Sequence, residues 1–521
     1  MDKLALRQGD VAEFLEKENA NIADELHVFE WTNGFRLRIV VQNSAEKGFE
    51  RLILLPVCGR VQMAVQPHKQ KIRRNFGQIG EIHLQRQKKM RLVGFAKRVN
   101  NISLKHEYQT QEELLEVARE YRRRGIPLDV IVCDYFHWPL QGEWRFDPTY
   151  WPDPDGMIRE LKEMGVELMV SVWPTVDKRC SHYPEMVENG YLMRTDRGYR
   201  IGTSFHGEVV FTDFTNPEAR AYVWDRVKKN YFDKGIRLFW LDVAEPEYDR
   251  YDFDNYRYWG GPVLQVGNVY PGEYARAFYE GEQASGEKNV VNLIRSAWAG
   301  GQKYGALVWS GDIASSFESM RNQMKAGLNM GIAGMPWWTT DIGGFYGGCG
   351  TDPNFRELLA RWFAWGAFLP VMRMHGDRRP VVPQQGTTGG ACCLSGAPNE
   401  IWSFGEEIQA ICEKYIRLRE SMRDYVREQM RKAHERGTPV MRPLFYDFPK
   451  DERCWNVDDA YMFGPDYLVA PITELGQRSR SVYLPEGANW KEMETGKKWE
   501  GGQTVTVDAP IDVIPVLIRM Q

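Results

Sequence analysis

The chain has 521 residues, 43% of them hydrophobic and 26% charged, and a formal net charge of −4. That length suits several domains or one large barrel with additions. The near-balanced charge gives no global attraction to nucleic acid or to an anionic membrane, and no run of about 20 apolar residues offers a membrane span.

The first residues, MDKLALRQGDVAEFLEKENAN, are polar and lack the apolar core of a signal peptide. The 8 Cys are scattered with no CxxC pair, so neither a zinc site nor a disulfide framework is signalled, and vicinal Cys392-Cys393 reads as a reduced pair in a loop. A cytoplasmic location is expected. Short β-like runs occupy 28–60 (HVFEWTN, FRLRIVVQN, RLILLPV). Residues 51–105 carry about 13 Lys/Arg against one acidic residue, Glu81. Their poor periodicity and few aromatics favour an irregular basic connector over a nucleic-acid patch.

From about 110 to 436, amphipathic and apolar segments alternate. TQEELLEVAREYRRRG (110–125) reads as a helix, with Leu114, Leu115, Val117, Ala118 and Tyr121 near one face. LDVIVCDYF (128–136) reads as a buried strand. DGMIRELKEMG is a helix, and VELMVSVWP (166–174) a strand. NPEARAYVWDRVKKNYFDKG leads into IRLFWLDV (236–243), and YARAFYEGEQ into VVNLIRSAW (290–298). ALVWSGD, a helix from Ser316, GMPWWTTDIGG, a helix from Phe355 and FLPVMRMHG (368–376) complete the series. Such alternation predicts a parallel sheet, and six or seven units over this length fit a closed (β/α)8 TIM barrel. No GxGxxG marks a strand–helix junction, and GGFYGGCG (343–350) reads as a loop. After 437, short runs between Pro/Gly turns predict a small antiparallel β-sandwich. The expected division is a partial N-terminal β-sandwich with the basic connector (1–106), the barrel (107–437) and the C-terminal β-sandwich (438–521).

The polar residues cluster at strand C-termini: Asp134, Trp173, Asp242, Arg295, Asp312, Asp341 and His375, the catalytic face of a barrel. Asp242 and Asp312 end neighbouring strands and suit the carboxylate pair that glycoside hydrolysis needs, one attacking the anomeric carbon and one protonating the leaving oxygen. Desolvation by an aromatic wall such as Trp309 favours a protonated acid. Each residue alone has a plainer reading. A strand-end Asp often caps a helix or joins an ion pair, His375 suits a satisfied core histidine, and Trp173 and Trp240 suit barrel filling. The 18 Trp fit either sugar stacking or large aromatic cores.

Taken together, FWLDVAEPE, LIRSAWAGGQ, WSGDIASSFESM, WTTDIGGF and RMHGDRRP, in this order and spacing, resemble glycoside hydrolase family 31 over roughly residues 107–521. The resemblance implies a retaining, exo-acting α-glycosidase that needs no cofactor or metal and acts on an α-glycoside or oligosaccharide. It implies Asp242 as nucleophile and Asp312 as acid/base. Asp134, Arg295, Arg373 and His375 would bind sugar hydroxyls, with Asp341 on the pocket floor and Trp173, Trp240 and Trp309 as walls. Glu245 would orient a loop or assist Asp242. The forms DVAEPE and WTTDIGGF are most similar to α-xylosidase-like members, ahead of α-glucosidase and α-galactosidase. CDYFHWP (133–139) offers Tyr135, Phe136 and Trp138 to exclude a C6 hydroxymethyl group. A transglycosylase, a non-catalytic carbohydrate-binding relative and a metal-dependent hydrolase using Asp134, Asp242 and His375 are the competing expectations. A homo-oligomer is compatible with the family. The sequence departs from the family before the first helix, where the unpatterned 51–105 stretch suggests a deletion or a reading-frame error that damages the first barrel strand.

Overall fold

The computed structural model describes the strands Leu26–Glu30, Phe35–Ser44, Phe49–Cys58 and Asn101–Ser103, and residues 108–196, 202–204, 207–246, 253–388 and 392–520. The chain divides into two units, residues 1–76 and 77–521. In the first, the three strands between 26 and 58 form an antiparallel meander. Most of the basic stretch expected to be a connector lies outside the described residues.

The second unit is built on eight parallel strands: β1 (Asn101–Ser103), β2 (Val130–Cys133), β3 (Glu167–Val172), β4 (Leu238–Leu241), β5 (Asn292–Ile294), β6 (Ala306–Trp309), β7 (Trp338–Thr339) and β8 (Met372–Met374). Each pairs with its neighbour in chain order, and β8 pairs with β1. The bridge between Ile342, just past β7, and Met374 closes the ring into a barrel. Strands β2 and β4 are buried at every position, as the apolar runs require of strands covered on both faces. The first strand, expected to be damaged, is present as the three residues Asn-Ile-Ser.

The longer helices among the described residues are α1 (Gln111–Arg123), α2 (Pro154–Glu163), α3 (Pro217–Asn230), α4 (Tyr270–Ala284), α5 (Phe317–Ile332), α6 (Pro353–Gly366), α7 (Glu406–Ser421) and α8 (Arg423–Arg436). Their starts follow capping chemistry. The Thr110 side chain accepts from the Glu113 N–H, and the Glu113 carboxylate accepts from the Gln109 N–H at 2.8 Å. Asp352 caps α6 with Pro353 at its first turn, so this helix begins two residues before the expected Phe355. Between β5 and β6 only a 3-10 turn, Gly301–Tyr304, makes the connection. Helix α6 is buried along most of its length because it packs between the barrel and the residues beyond 440. Those residues form a six-stranded and a two-stranded antiparallel sheet. Trp490, Val482, Leu484, Val505, Leu468 and Leu517 belong to their separate core.

Candidate active site

All eleven residues singled out from the sequence lie at or just beyond the carboxyl ends of the barrel strands. Asp134 follows β2, Trp173 follows β3, Asp242 follows β4 and Arg295 follows β5. Trp240 lies in β4, Trp309 ends β6 and Arg373 lies in β8. Glu245, Asp312, Asp341 and His375 lie within three residues of a strand or of Asp242. Strand β5 stops at Ile294, four residues short of the expected end; the Arg295 N–H still reaches Leu241 O at 3.4 Å, and its side chain meets the carboxylates of the site.

Arg295 joins three carboxylates. Its Nε meets Glu245 Oε1 at 2.8 Å, its Nη2 meets Asp312 Oδ2 at 3.2 Å, and its Nη1 meets Asp242 Oδ1 at 3.6 Å. Contacts to the two ends of one planar guanidinium hold the Asp242 and Asp312 oxygens within roughly 9 Å of each other, close enough for a carboxylate pair that flanks a glycosidic bond. Asp242 is buried and Asp312 half-buried, while Glu245 lies at the rim. The Val243 N–H donates to Asp242 Oδ1 at 2.8 Å. It does so from φ 54, a left-handed conformation that a β-branched residue adopts only under strain. Burial pushes the Asp242 carboxyl well above the usual carboxylate range. Arg295 opposes this, while Asp312, Asp134 and Glu245 add to it.

A second cluster forms the floor. Asp341 and Arg373 make an ion pair from which solvent is wholly excluded. Burial pushes the Asp341 carboxyl up to about 6, against the pull of Arg373. The Arg373 guanidinium lies 4.9 Å from the Trp240 ring centre and 5.5 Å from that of Trp309. Trp240 meets Trp309 and His375 edge to face, at 5.4 and 5.2 Å. Arg373 Nε and Nη2, Asp341 Oδ2 and the indole nitrogens of Trp240 and Trp309 are buried without a hydrogen-bond partner among the described residues. An unmet buried polar atom costs about 1–3 kcal/mol, so five of them together make this floor costly to leave without partners.

The third wall begins at Asp134, whose side chain caps the turn Tyr135–His137 by accepting from the Tyr135 N–H at 2.7 Å. Tyr135 packs on Trp173 at 4.4 Å, and Trp138 meets Trp173 edge-on at 5.7 Å. The side chain of Phe136 lies outside the described residues. His137 anchors this turn through Asp134 O at 2.6 Å and the Tyr231 hydroxyl at 2.8 Å, and burial lowers its pKa to about 3, so it is neutral.

Two contributors escaped the sequence reading. Tyr346 donates to Asp312 Oδ2 at 3.4 Å from the loop GGFYGGCG. That loop is laced to the Asp312 loop through Phe345 N–H to Ile313 O at 2.7 Å and Ser315 N–H to Tyr346 O at 2.8 Å. Gly344 permits the approach: at φ 77, a Cβ there would lie 2.5 Å from Ser315 Cα. Buried Arg378 donates to the carbonyls of Gly344 at 2.8 Å and of Ile342 and His375 at 3.1 Å, so it ties the β7 and β8 loops together. An aromatic inside a glycine-rich loop was the available signal for Tyr346. Arg378 lay inside the quoted RMHGDRRP, but its partners, three carbonyls with the Asn399 and Ser315 side chains, come mostly from distant parts of the chain. Among the described residues, no group of three or more His, Cys, Asp or Glu is arranged to hold a metal ion, and no helix is long and apolar enough to cross a membrane.

A closed parallel barrel with buried carboxylates, arginine and tryptophan at its carboxyl-end rim defines a class of sugar-handling (β/α)8 proteins. Residues 101–429 match the TIM-barrel domain of glycosyl hydrolases family 31, and residues 437–521 match the C-terminal domain of the same family. The chain therefore belongs to glycosyl hydrolase family 31. It is 62% identical over 273 residues to an uncharacterized family 31 glucosidase of Pseudescherichia vulneris, covering 52% of each chain. It is 35% identical over 431 residues to an alpha-xylosidase of Saccharolobus solfataricus, covering 80% of this chain and 53% of that one. The structure superposes on a GH31 alpha-xylosidase from a soil metagenome, solved in complex with xylose, with a TM-score of 0.80 and 56% identity over 82% of this chain and 64% of that one. The chain spans about half the length of these curated relatives.

Proposed function

We propose that the chain is a retaining, exo-acting α-glycoside hydrolase with a xylosyl unit in its innermost subsite. The observation that carries this reading is Arg295, which gathers Asp242, Glu245 and Asp312 around one guanidinium. Asp242 attacks the anomeric carbon as Asp312 donates its proton to the departing oxygen, giving a covalent glycosyl-enzyme. Asp312 then takes a proton from water, which attacks the same carbon and releases Asp242. Around Asp242 the carboxylates Asp312, Asp134 and Glu245 are set against the guanidinium of Arg295, while Arg373 is paired with Asp341. This excess of negative charge opposes ionisation of Asp242 in the empty pocket and stabilises the positive charge that develops on the sugar. Arg373, Asp341 and His375 form the buried floor beneath the sugar, and their complete burial closes the inner end, as exo action requires. Substrate-like contacts are further assigned to Asp134 and to the walls Trp173, Trp240 and Trp309, and loop orientation to Glu245.

The xylosyl choice rests on the relatives named alpha-xylosidase and on the packed wall of Tyr135, Trp138 and Trp173 beside Asp134, which leaves a bulky exclusion surface for a hydroxymethyl group. α-Glucosidase is the second reading, favoured by the relatives named glucosidase. Turnover of aryl α-xyloside, α-glucoside and α-galactoside tests both. A kcat/KM at least tenfold higher for the xyloside is expected, and a higher value for the glucoside replaces the first reading with the second. The division at residues 107 and 437 and a cytoplasmic location belong to the same proposal. The location rests on the free thiols of Cys133, Cys180, Cys349, Cys412 and Cys454.

A further inference from the structure

A cavity of about 430 Å3, whose lining does not include Asp242, Asp312 or Arg295, lies on the same end of the barrel. One side is the start of α3, with Thr215 and Arg220. A second is the start of α4, with Val269, Glu273 and Arg276. The third is Trp259, at the tip of the hairpin Tyr256–Tyr258/Gly261–Pro262. All three belong to the connections that follow β3 and β4, so the cavity opens on the catalytic rim. Its depth is fixed by an aromatic layer. Phe214 stacks on Tyr274 at 4.3 Å, and the Tyr274 hydroxyl donates to Val172 O at 2.8 Å, the carbonyl that also accepts from the Asp242 N–H at 3.1 Å. Thr215 and Glu273 are the chain neighbours of Phe214 and Tyr274. The cavity thus sits one layer of rings outside the strand end that carries Asp242.

Trp259 is 60% exposed, yet its backbone is pinned. Its N–H donates to buried Asp213, and the Gly260 N–H donates to Thr215 Oγ1 at 3.0 Å. Thr215 Oγ1 donates in turn to Asp213 at 2.6 Å. A large indole held out on a fixed hairpin tip costs little ordering entropy when it meets a ligand. Opposite it, Arg220 and Glu273 form an ion pair at 2.7 Å, Arg220 also donates to Phe214 O at 2.8 Å, and Arg276 reaches Glu273 at 3.4 Å. The cavity therefore offers one flat apolar face and a fixed row of alternating charges. That pairing suits a pyranose, whose C–H face stacks on an aromatic ring while its edge hydroxyls take planar, bidentate partners. Charges interleaved through the lining disfavour a protein interface, whose core is depleted of them, and Glu273 between two arginines disfavours a phosphate backbone.

We propose that this cavity is an accessory carbohydrate site, with Trp259 as its stacking platform, that holds a distant part of an oligosaccharide whose terminal unit enters the Asp242 pocket. The choice of ligand rests on the glycosidase reading, and the test separates the two. The native chain, Trp259→Ala and Trp259→Phe are compared on an aryl α-xyloside and on an α-xylosyl-branched gluco-oligosaccharide. Trp259→Ala raises KM for the oligosaccharide about tenfold, leaves the aryl glycoside unchanged, and is rescued by Trp259→Phe. Binding is read independently by calorimetric titration of the same oligosaccharide into Asp242→Asn with and without Trp259→Ala. A Trp259-dependent loss of affinity supports the site even if neither compound is turned over. Affinity and KM indifferent to Trp259 overturn it, as does a change of oligomeric state in Trp259→Ala with oligosaccharide binding intact, which would assign the surface to a second copy of the chain.

Discussion

The barrel buries arginines in two regions and uses them in opposite ways. At the interface with the C-terminal sheets, Arg361 of α6 donates to the carbonyls of Gln477, Ala509, Pro510 and Val513 at 2.8–3.0 Å. Arg419 of α7 donates to those of Ala367, Leu369 and Pro370 at 2.7–2.9 Å. Burial lowers Arg361 to about 10 and Arg419 to about 9, so both remain charged at neutral pH, and their fixed forks tie chain segments together. On the catalytic face, Arg295 is spread over three carboxylates and Arg373 keeps two buried nitrogens unmatched. In the first region the Arg419 fork is met by three carbonyls and Arg361 leaves only its Nε unmatched among the described residues, and both arginines serve stability. The second leaves Arg373 Nε and Nη2 and Asp341 Oδ2 unmatched among the described residues, and it holds a strained Val243 and an excess of carboxylates. The larger share of unmatched buried polarity, rather than its mere presence, sets the second region apart from the first when the residue types are the same.

Substitutions sharpen this contrast. Asp242→Asn has the largest effect on turnover, a loss on the order of 10⁴-fold or more, because no covalent intermediate forms. The same change stabilises the fold at neutral pH. The folded pKa of Asp242 lies above its unfolded value, so its favourable contribution is present below the unfolded pKa and lost as pH rises through the folded one. Melting temperatures should therefore separate in favour of Asp242→Asn as pH rises, and equal or lower values would contradict the account. Arg419→Met behaves in the opposite way. It strands three buried carbonyls and costs about 3 kcal/mol or more in denaturant unfolding, with KM unchanged in the folded fraction. Asp312→Ala comes next. It slows glycosides with poor leaving groups about 10²-fold more than activated aryl glycosides, and equal losses would remove its acid/base role. Glu245→Gln is the mildest. It removes one negative neighbour of Asp242 and one competitor for Arg295, so the acidic limb of kcat/KM moves to lower pH. A limb that stays in place would confine Glu245 to loop structure.

The barrel was legible because strands covered on both faces are continuous apolar runs and because each run ends in a polar residue that a barrel rim can use. The motif residues were legible for the same reason: Asp134, Asp242 and Arg295 each follow the last strand residue directly. Strand ends were read too long at Arg295, since an apolar run does not reveal where a side chain leaves the ladder. The lacing of Tyr346 and Arg378 was not legible, because it depends on groups that only the fold brings together from the loops after β6, β7 and β8. Trp259 carried no periodic signal, and only its exposure beside an ion pair singles it out.

The central claim is that Asp242 becomes bonded to the sugar. The direct measurement is mass spectrometry of the full chain after incubation with a 5-fluoro-α-xylosyl fluoride, followed by peptide mapping. A one-to-one adduct on the peptide containing Asp242, absent in Asp242→Asn, is the expected result. An adduct on another carboxylate, or steady hydrolysis of the α-xyloside with inverted product stereochemistry, would contradict it.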